Sequence, residues 1–194
     1  MLTRGRLSGL AMGLGVGLVL VVAGCDNSNG VLGIDGGRVQ FVLSSGAQLD
    51  GPVATDGDHD HARRFFQSAN VIFSSILARN LDGVLVDVTM ALPDTVDVLL
   101  LDGKEVTLPD GELPPGTYDQ VVVVMTAVEG VTHDGTTITI TPPGGGWTAI
   151  VPICPFVVEE GATTVVGLKL MLDRAFSWRD SRYHFQPSFV CDEG

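Results

Sequence analysis

Four histidines, three cysteines and two tryptophans are the side chains of this 194-residue chain with the most chemistry to offer. The segment Asp56-Gly-Asp58-His59-Asp60-His61 sets two imidazoles one residue apart, with carboxylates between and before them. Such a donor set suits Zn²⁺ or Ni²⁺. Its alternate aspartates have the spacing of a calcium loop, but His61 occupies the sixth position, where glycine makes the turn, and Gln67 the twelfth, where a bidentate glutamate is needed. The segment is therefore not an EF-hand, and two readings stand. Asp58, His59, Asp60 and His61 hold a divalent metal, or they belong to a solvated loop within the polar stretch 44–62. Trp178, in Phe176-Ser-Trp-Arg-Asp180, lies near a predicted loop, where an exposed indole could stack on the face of a sugar ring. Trp147 follows Gly144-Gly-Gly146 at a strand start and reads as core. A hydrolase finds less support. The chain has no G-x-S-x-G elbow and no H-E-x-x-H, and Cys154 and Cys191 lack the paired spacing of a zinc site. His59, His61, His133 and His184 stand in no spacing that suggests a triad, and Glu159-Glu160 before Gly161 reads as a turn rather than an acid/base pair.

Cys25 belongs to a different chemistry. Arg4 and Arg6 precede an uncharged run over residues 7–24, which ends in Val22-Ala-Gly-Cys25. A charged start, an apolar middle and small residues at the end make an export signal. The last four residues resemble the lipobox of bacterial lipoproteins, in which the cysteine thiol is acylated. The resemblance implies that residues 1–24 are removed and that Cys25 anchors the chain to a bacterial membrane, with the rest in the periplasm or at the surface. The run is rich in glycine and short for crossing about 30 Å of hydrocarbon. Gly13-Leu-Gly-Val-Gly17 lies inside this leader and so does not join a strand to a helix, as a phosphate loop must. Setting Cys25 aside leaves Cys154 and Cys191, an even pair in an oxidising compartment, and predicts a disulfide between them.

Charge narrows the partners. With 11 Lys+Arg against 23 Asp+Glu the chain carries −12, and loss of Arg4 and Arg6 takes it to −14. Phosphate backbones need a basic footprint, so nucleic acid is excluded as a partner. An acidic body is also repelled by anionic lipid, so membrane attachment falls to acyl chains on Cys25, and any further partner is a protein or a glycan. Hydrophobic residues at 45% and charged residues at 18% describe a foldable chain and not a disordered acidic tail.

The elements that must position these residues are strands. Residues 26–36 are polar and glycine-rich and read as a flexible tether, leaving 37–194 as one domain. Val39, Phe41 and Leu43 alternate with Arg38 and Gln40, Val84, Val86 and Val88 with Leu85, Asp87 and Thr89, and Val166, Leu168, Leu170 and Leu172 with Gly167, Lys169, Met171 and Asp173. Tyr183, Phe185, Phe189 and Cys191 share one parity of a last strand, and Cys154, Phe156 and Val158 share another, which points both thiols inward. Residues 117–128, with Val121-Val-Val-Val124, are apolar on both parities and predict a central strand. Seven Asp-Gly dipeptides suit tight turns, with hairpins predicted over 99–106 and 131–138. Residues 65–77 fit helical spacing as well as strand spacing. Val71-Ile-Phe73 and Ile76 favour a strand from about Asn70 to Ala78 after an irregular turn. The predicted core is Val39, Phe41, Val122, Val124, Leu168, Leu170, Phe185 and Phe189, in an antiparallel sandwich or barrel.

Four stretches carry a family resemblance: Thr95-Val-Asp-Val-Leu-Leu-Leu-Asp-Gly103, Leu113-Pro-Pro-Gly-Thr-Tyr-Asp-Gln120, Pro155-Phe-Val-Val-Glu-Glu-Gly161 and Tyr183-His-Phe-Gln-Pro187. Over residues 37–190 the chain resembles a domain-of-unknown-function family of bacterial envelope lipoproteins, most specifically through the L-P-x-G-x-Y-x-Q element. The resemblance implies an all-β, antiparallel two-sheet sandwich of transthyretin-like (prealbumin-like) or immunoglobulin-like type, with no established enzymatic activity. It also implies that Tyr118 opens a strand with its ring packed and its hydroxyl free to bond. Ser44-Ser-Gly-Ala47 replaces the family's usual Asp-Ala-Pro turn, and Val121 to Val124 run where an arginine is common. A function carried by that turn or that arginine would be missing here.

Overall fold

A computed structural model describes residues 36–46, 61–91, 94–101 and 103–192. Cys25, the tether, Asp58, His59 and Asp60 lie outside the described residues, as does the side chain of His61. With strands numbered along the chain, one sheet contains β1 (Gly37–Gly46), β4 (Thr89–Met90), β6 (Val106–Thr107), β7 (Gly111–Leu113), β12 (Thr163–Met171) and β15 (Phe189–Asp192). The other contains β2 (Phe66–Asn80), β3 (Leu85–Asp87), β5 (Asp94–Asp97), β8 (Gly116–Thr132), β9 (Thr137–Ile140), β10 (Trp147–Val151) and β11 (Phe156–Val158). A separate hairpin is formed by β13 (Phe176–Arg179) and β14 (Arg182–Phe185). Short helices α1 (His61–Phe65) and α2 (Leu172–Ala175) and a 3₁₀ turn at Val98–Leu101 complete the described elements.

The two large sheets pack as a sandwich, because each has one continuously apolar face. Val39, Phe41 and Leu43 of β1 and Val166, Leu168 and Leu170 of β12 are buried from one side, and Val71, Phe73, Val121, Val123 and Met125 from the other. The pairing is antiparallel throughout the described strands except between β1 and β12, which run parallel, with Phe41 beside Val166 and Leu43 beside Leu168. β8 is the central strand. It lies against β2 along one edge and meets β11, β10 and β9 in turn along the other.

At the start of β8, the Tyr118 hydroxyl donates to the Pro114 carbonyl at 2.8 Å, and its ring stacks on Phe156 at 5.2 Å. A tyrosine bonded back to its own entry loop is the corner that closes many Greek-key sandwiches. Burial raises the Tyr118 hydroxyl above the usual tyrosine value. The neighbouring Asp119 carboxylate takes both guanidinium bonds of Arg79 at 2.9 Å, and its backbone carbonyl accepts from the Cys154 amide. Cys154 and Cys191 form a disulfide with Cα atoms 5.2 Å apart. It ties β15 of the first sheet to the β10–β11 connection of the second.

Several sequence expectations are corrected. The strand expected from about Asn70 begins at Phe66 and follows a single helical turn, α1. No hairpin forms among the described residues of 99–106: Val98–Leu101 is a 3₁₀ turn with Val98, Leu99 and Leu101 buried, and Val106 and Thr107 pair with β1 instead. The last predicted strand is two, because Gln186-Pro-Ser188 separates β14 from β15 and assigns them to different sheets. Of the valine run, Val121, Val122 and Val123 are all buried, as a central strand requires, and of the predicted core residues only Val124 is half-buried. Val84 is exposed and precedes β3. The hairpin at 131–138 forms as expected, with Gly135 at φ 85°.

Candidate functional site: the groove at the Trp178 hairpin

Trp178 stands on β13 directly across from Tyr183 on β14. The turn between these strands, Asp180-Ser181, has φ of 49° and 58°, positive at both central residues as a type I′ turn requires. That turn's twist matches the flanking strands, so the ribbon projects its tip without splaying. The base of the ribbon is fixed in the core through Phe176 and Phe185, whose rings lie 4.9 Å apart. From there aromatic contacts continue outward: Phe176 packs on Phe66 at 5.5 Å, Phe66 on Tyr183 at 4.9 Å, and Tyr183 meets Trp178 edge-on at 4.5 Å. The indole is thus held by Tyr183 while 51% of the residue stays exposed.

A close approach of backbone and ring makes this stack possible. The Phe66 ring lies on Gly130 of β8, where a Cβ would fall 2.6 Å from ring carbons. Only glycine leaves room for the ring there. Phe66 in turn supports Tyr183, and so the hairpin, beside β9.

Between the hairpin and β9 runs an open groove of about 470 Å³. Trp178 and Tyr183 supply its aromatic wall, Thr139, Thr141 and Ser181 its hydroxyls, and Arg182 a cation at the rim. A flat ring with one apolar face can lie on the indole, while groups on its edge reach the hydroxyls and the guanidinium.

The other predicted residues divide clearly. Trp147 is partly buried and packs edge-on against Phe185 at 5.1 Å, as a core residue. Cys154 and Cys191 are bonded to each other, so neither is a free thiol. His133 bonds through Nε2 to the Arg63 carbonyl at 2.8 Å, and His184 approaches the Arg179 carbonyl at 3.3 Å. Glu159-Glu160-Gly161 is a turn, with Gly161 at φ 70°. Among the described residues, no three His, Cys, Asp or Glu side chains are grouped as a metal site. The metal reading of Asp58, His59, Asp60 and His61 falls on side chains outside them. A second groove, of about 380 Å³, is bordered by Arg63, Gln67, Lys104 and His133. Arg63, Gln67 and His133 each spend a polar group on a backbone carbonyl, of Leu99, His133 and Arg63 respectively.

Sequence reasoning singled out Trp178 but missed Tyr183, Ser181 and Arg182 as its companions. The signal was the symmetric pattern Phe176-x-Trp178 and Tyr183-x-Phe185 about a two-residue turn. Asp-Ser is a poor advertisement for a type I′ turn, and Asp-Gly pairs elsewhere drew the hairpin assignments. Compared with known proteins, the chain matches no family model, no curated protein and no solved structure.

Proposed function

We propose that this chain is a lipid-anchored protein of the bacterial cell envelope that acts by binding and not by catalysis, with the Trp178 groove as its binding surface and a saccharide as its ligand. The observation that carries the binding reading is the exposed indole held on a rigid, core-anchored hairpin beside a hydroxyl-lined groove. Flexible loops must be ordered when they bind, whereas a preformed aromatic platform avoids much of that entropic penalty.

Envelope placement is supported by the leader that ends at Cys25 and by the resemblance to envelope lipoproteins. A disulfide between the two remaining cysteines is consistent with an oxidising compartment. No helix among the described residues is long and apolar enough to cross a membrane. In this reading attachment falls to the acyl chains on Cys25, with residues 26–36 as the spacer.

Tryptophan fluorescence tests the binding reading, because Trp147 is packed in the core and Trp178 is open. Titration with a panel of oligosaccharides is expected to shift the emission of the natural protein and to leave Trp178→Ala unresponsive. An identical response from the two proteins would remove the groove from consideration.

A further inference from the structure

Arg179 and Arg182 face each other across the hairpin, one on either side of the Asp180-Ser181 turn, and both are exposed. Like charges directly opposite one another destabilise a strand pair. In a chain with 23 acidic residues the usual remedy is at hand: Asp119 holds Arg79, Asp192 holds Lys169, and Asp173 contacts Arg174. Among the described residues no carboxylate does this for Arg179 or Arg182, and Asp180 between them pairs with neither. Strand alternation places the two arginines on the opposite side of the ribbon from Trp178 and Tyr183, yet Arg182 also borders the groove. Arg182 therefore lies at the rim of the aromatic platform, where it can meet an anion on the edge of a ring seated there, and Arg179 is its cross-strand neighbour.

We infer that the groove selects an acidic saccharide, a hexuronate-type sugar whose ring lies on Trp178 and whose carboxylate is taken by Arg182, with Arg179 adding to the local positive field. The inference rests on the saccharide reading above and adds the chemical class. Guanidinium and carboxylate are matched in geometry, and their charge-assisted bonds are stronger than neutral ones. An acidic polymer would otherwise be repelled by a body of this net charge, so a local cationic rim is what such a ligand requires. An exposed tryptophan flanked by arginines also suits an anionic lipid surface. The hydroxyl-lined groove favours a discrete sugar over a bilayer.

Calorimetry on the full-length mature protein in neutral detergent, with hexagalacturonate and its uncharged counterpart galactohexaose as probes, tests this. Hexagalacturonate is expected to bind at least about tenfold more tightly than galactohexaose, with a preference that fades as salt rises. Arg179→Gln/Arg182→Gln is expected to abolish the preference, so that the variant binds hexagalacturonate no more than about twofold more tightly than it binds galactohexaose. Trp178→Ala is expected to abolish both. Equal binding of the two sugars, lost in Trp178→Ala, would overturn the acidic preference and leave the saccharide reading intact. Binding of neither sugar would overturn both. Arginine-dependent binding to phosphatidylglycerol vesicles without sugar binding would overturn both and assign the rim to lipid.

Discussion

At the scale of single residues, the ion pair of Arg79 and Asp119 gives the clearest pH signature. The hydrogen bonds from Arg79, with its charge, hold the Asp119 carboxyl below the usual carboxylate range. Asp134 is held low in the same way, by the Thr132 hydroxyl and the Thr136 backbone amide at the β8–β9 turn. A group whose folded value is depressed stabilises fully above its unfolded value, near about 3.9, and loses that contribution as pH falls through the lower folded value. Thermal unfolding of natural protein and Asp119→Asn should therefore differ by a constant amount at neutral pH and converge below about pH 4. Both partners are about a third exposed, so the difference at neutral pH should be small and should shrink with added salt. An unchanging difference down to strong acid would mean that Asp119 acts through packing rather than charge.

At the scale of elements, the hairpin that carries Trp178 contains its own strain. Ser181 adopts a left-handed backbone at φ 58°, a conformation that disfavours residues with a Cβ. Ser181→Gly is expected to raise the stability by about 0.5 to 1 kcal/mol in urea unfolding, after allowing for the greater freedom of glycine in the unfolded chain. A loss of stability would show that the Ser181 side chain has a structural role at the turn. This same element marks where sequence reading stopped. Strands with strict alternation, such as Val39, Phe41 and Leu43 or Val166, Leu168 and Leu170, were legible because one face is buried and the other is wet. The four-valine run in β8 gave no alternation, so the strand was legible but not the face it turns inward. Val98-Leu-Leu-Leu101 read as strand by composition, yet three side chains had to be buried within one turn, and tertiary packing chose 3₁₀ geometry. Of the site, Trp178 was legible as an aromatic near a loop. Tyr183 was not, because its contact with Trp178 depends on a turn whose residues do not announce it, and its contact with Phe66 depends on Gly130 being bare.

At the scale of the molecule, the disulfide and the leader belong to one account. Cys154 and Cys191, 37 residues apart, fasten the two sheets together at the side where β10 and β15 approach. Cross-linking a loop of this length stabilises by about 4 kcal/mol in the chain-entropy model. Cys154→Ser/Cys191→Ser should lower the unfolding free energy by a comparable amount, and reduction of the natural protein should reproduce the loss. A stability unchanged by both would contradict the role of the bridge as an intersheet staple. In the function proposed above, the bridge forms in an oxidising compartment reached through the export signal of residues 1–24, and Cys25 is the residue that would keep the domain at the membrane. Intact-mass spectrometry of the protein extracted from its own membranes tests this most directly. The account predicts a chain that begins at Cys25, heavier than its sequence from that residue by a diacylglyceryl group, with or without a further acyl chain. A chain that retains residues 1–24, or one whose Cys25 carries no lipid, would contradict it.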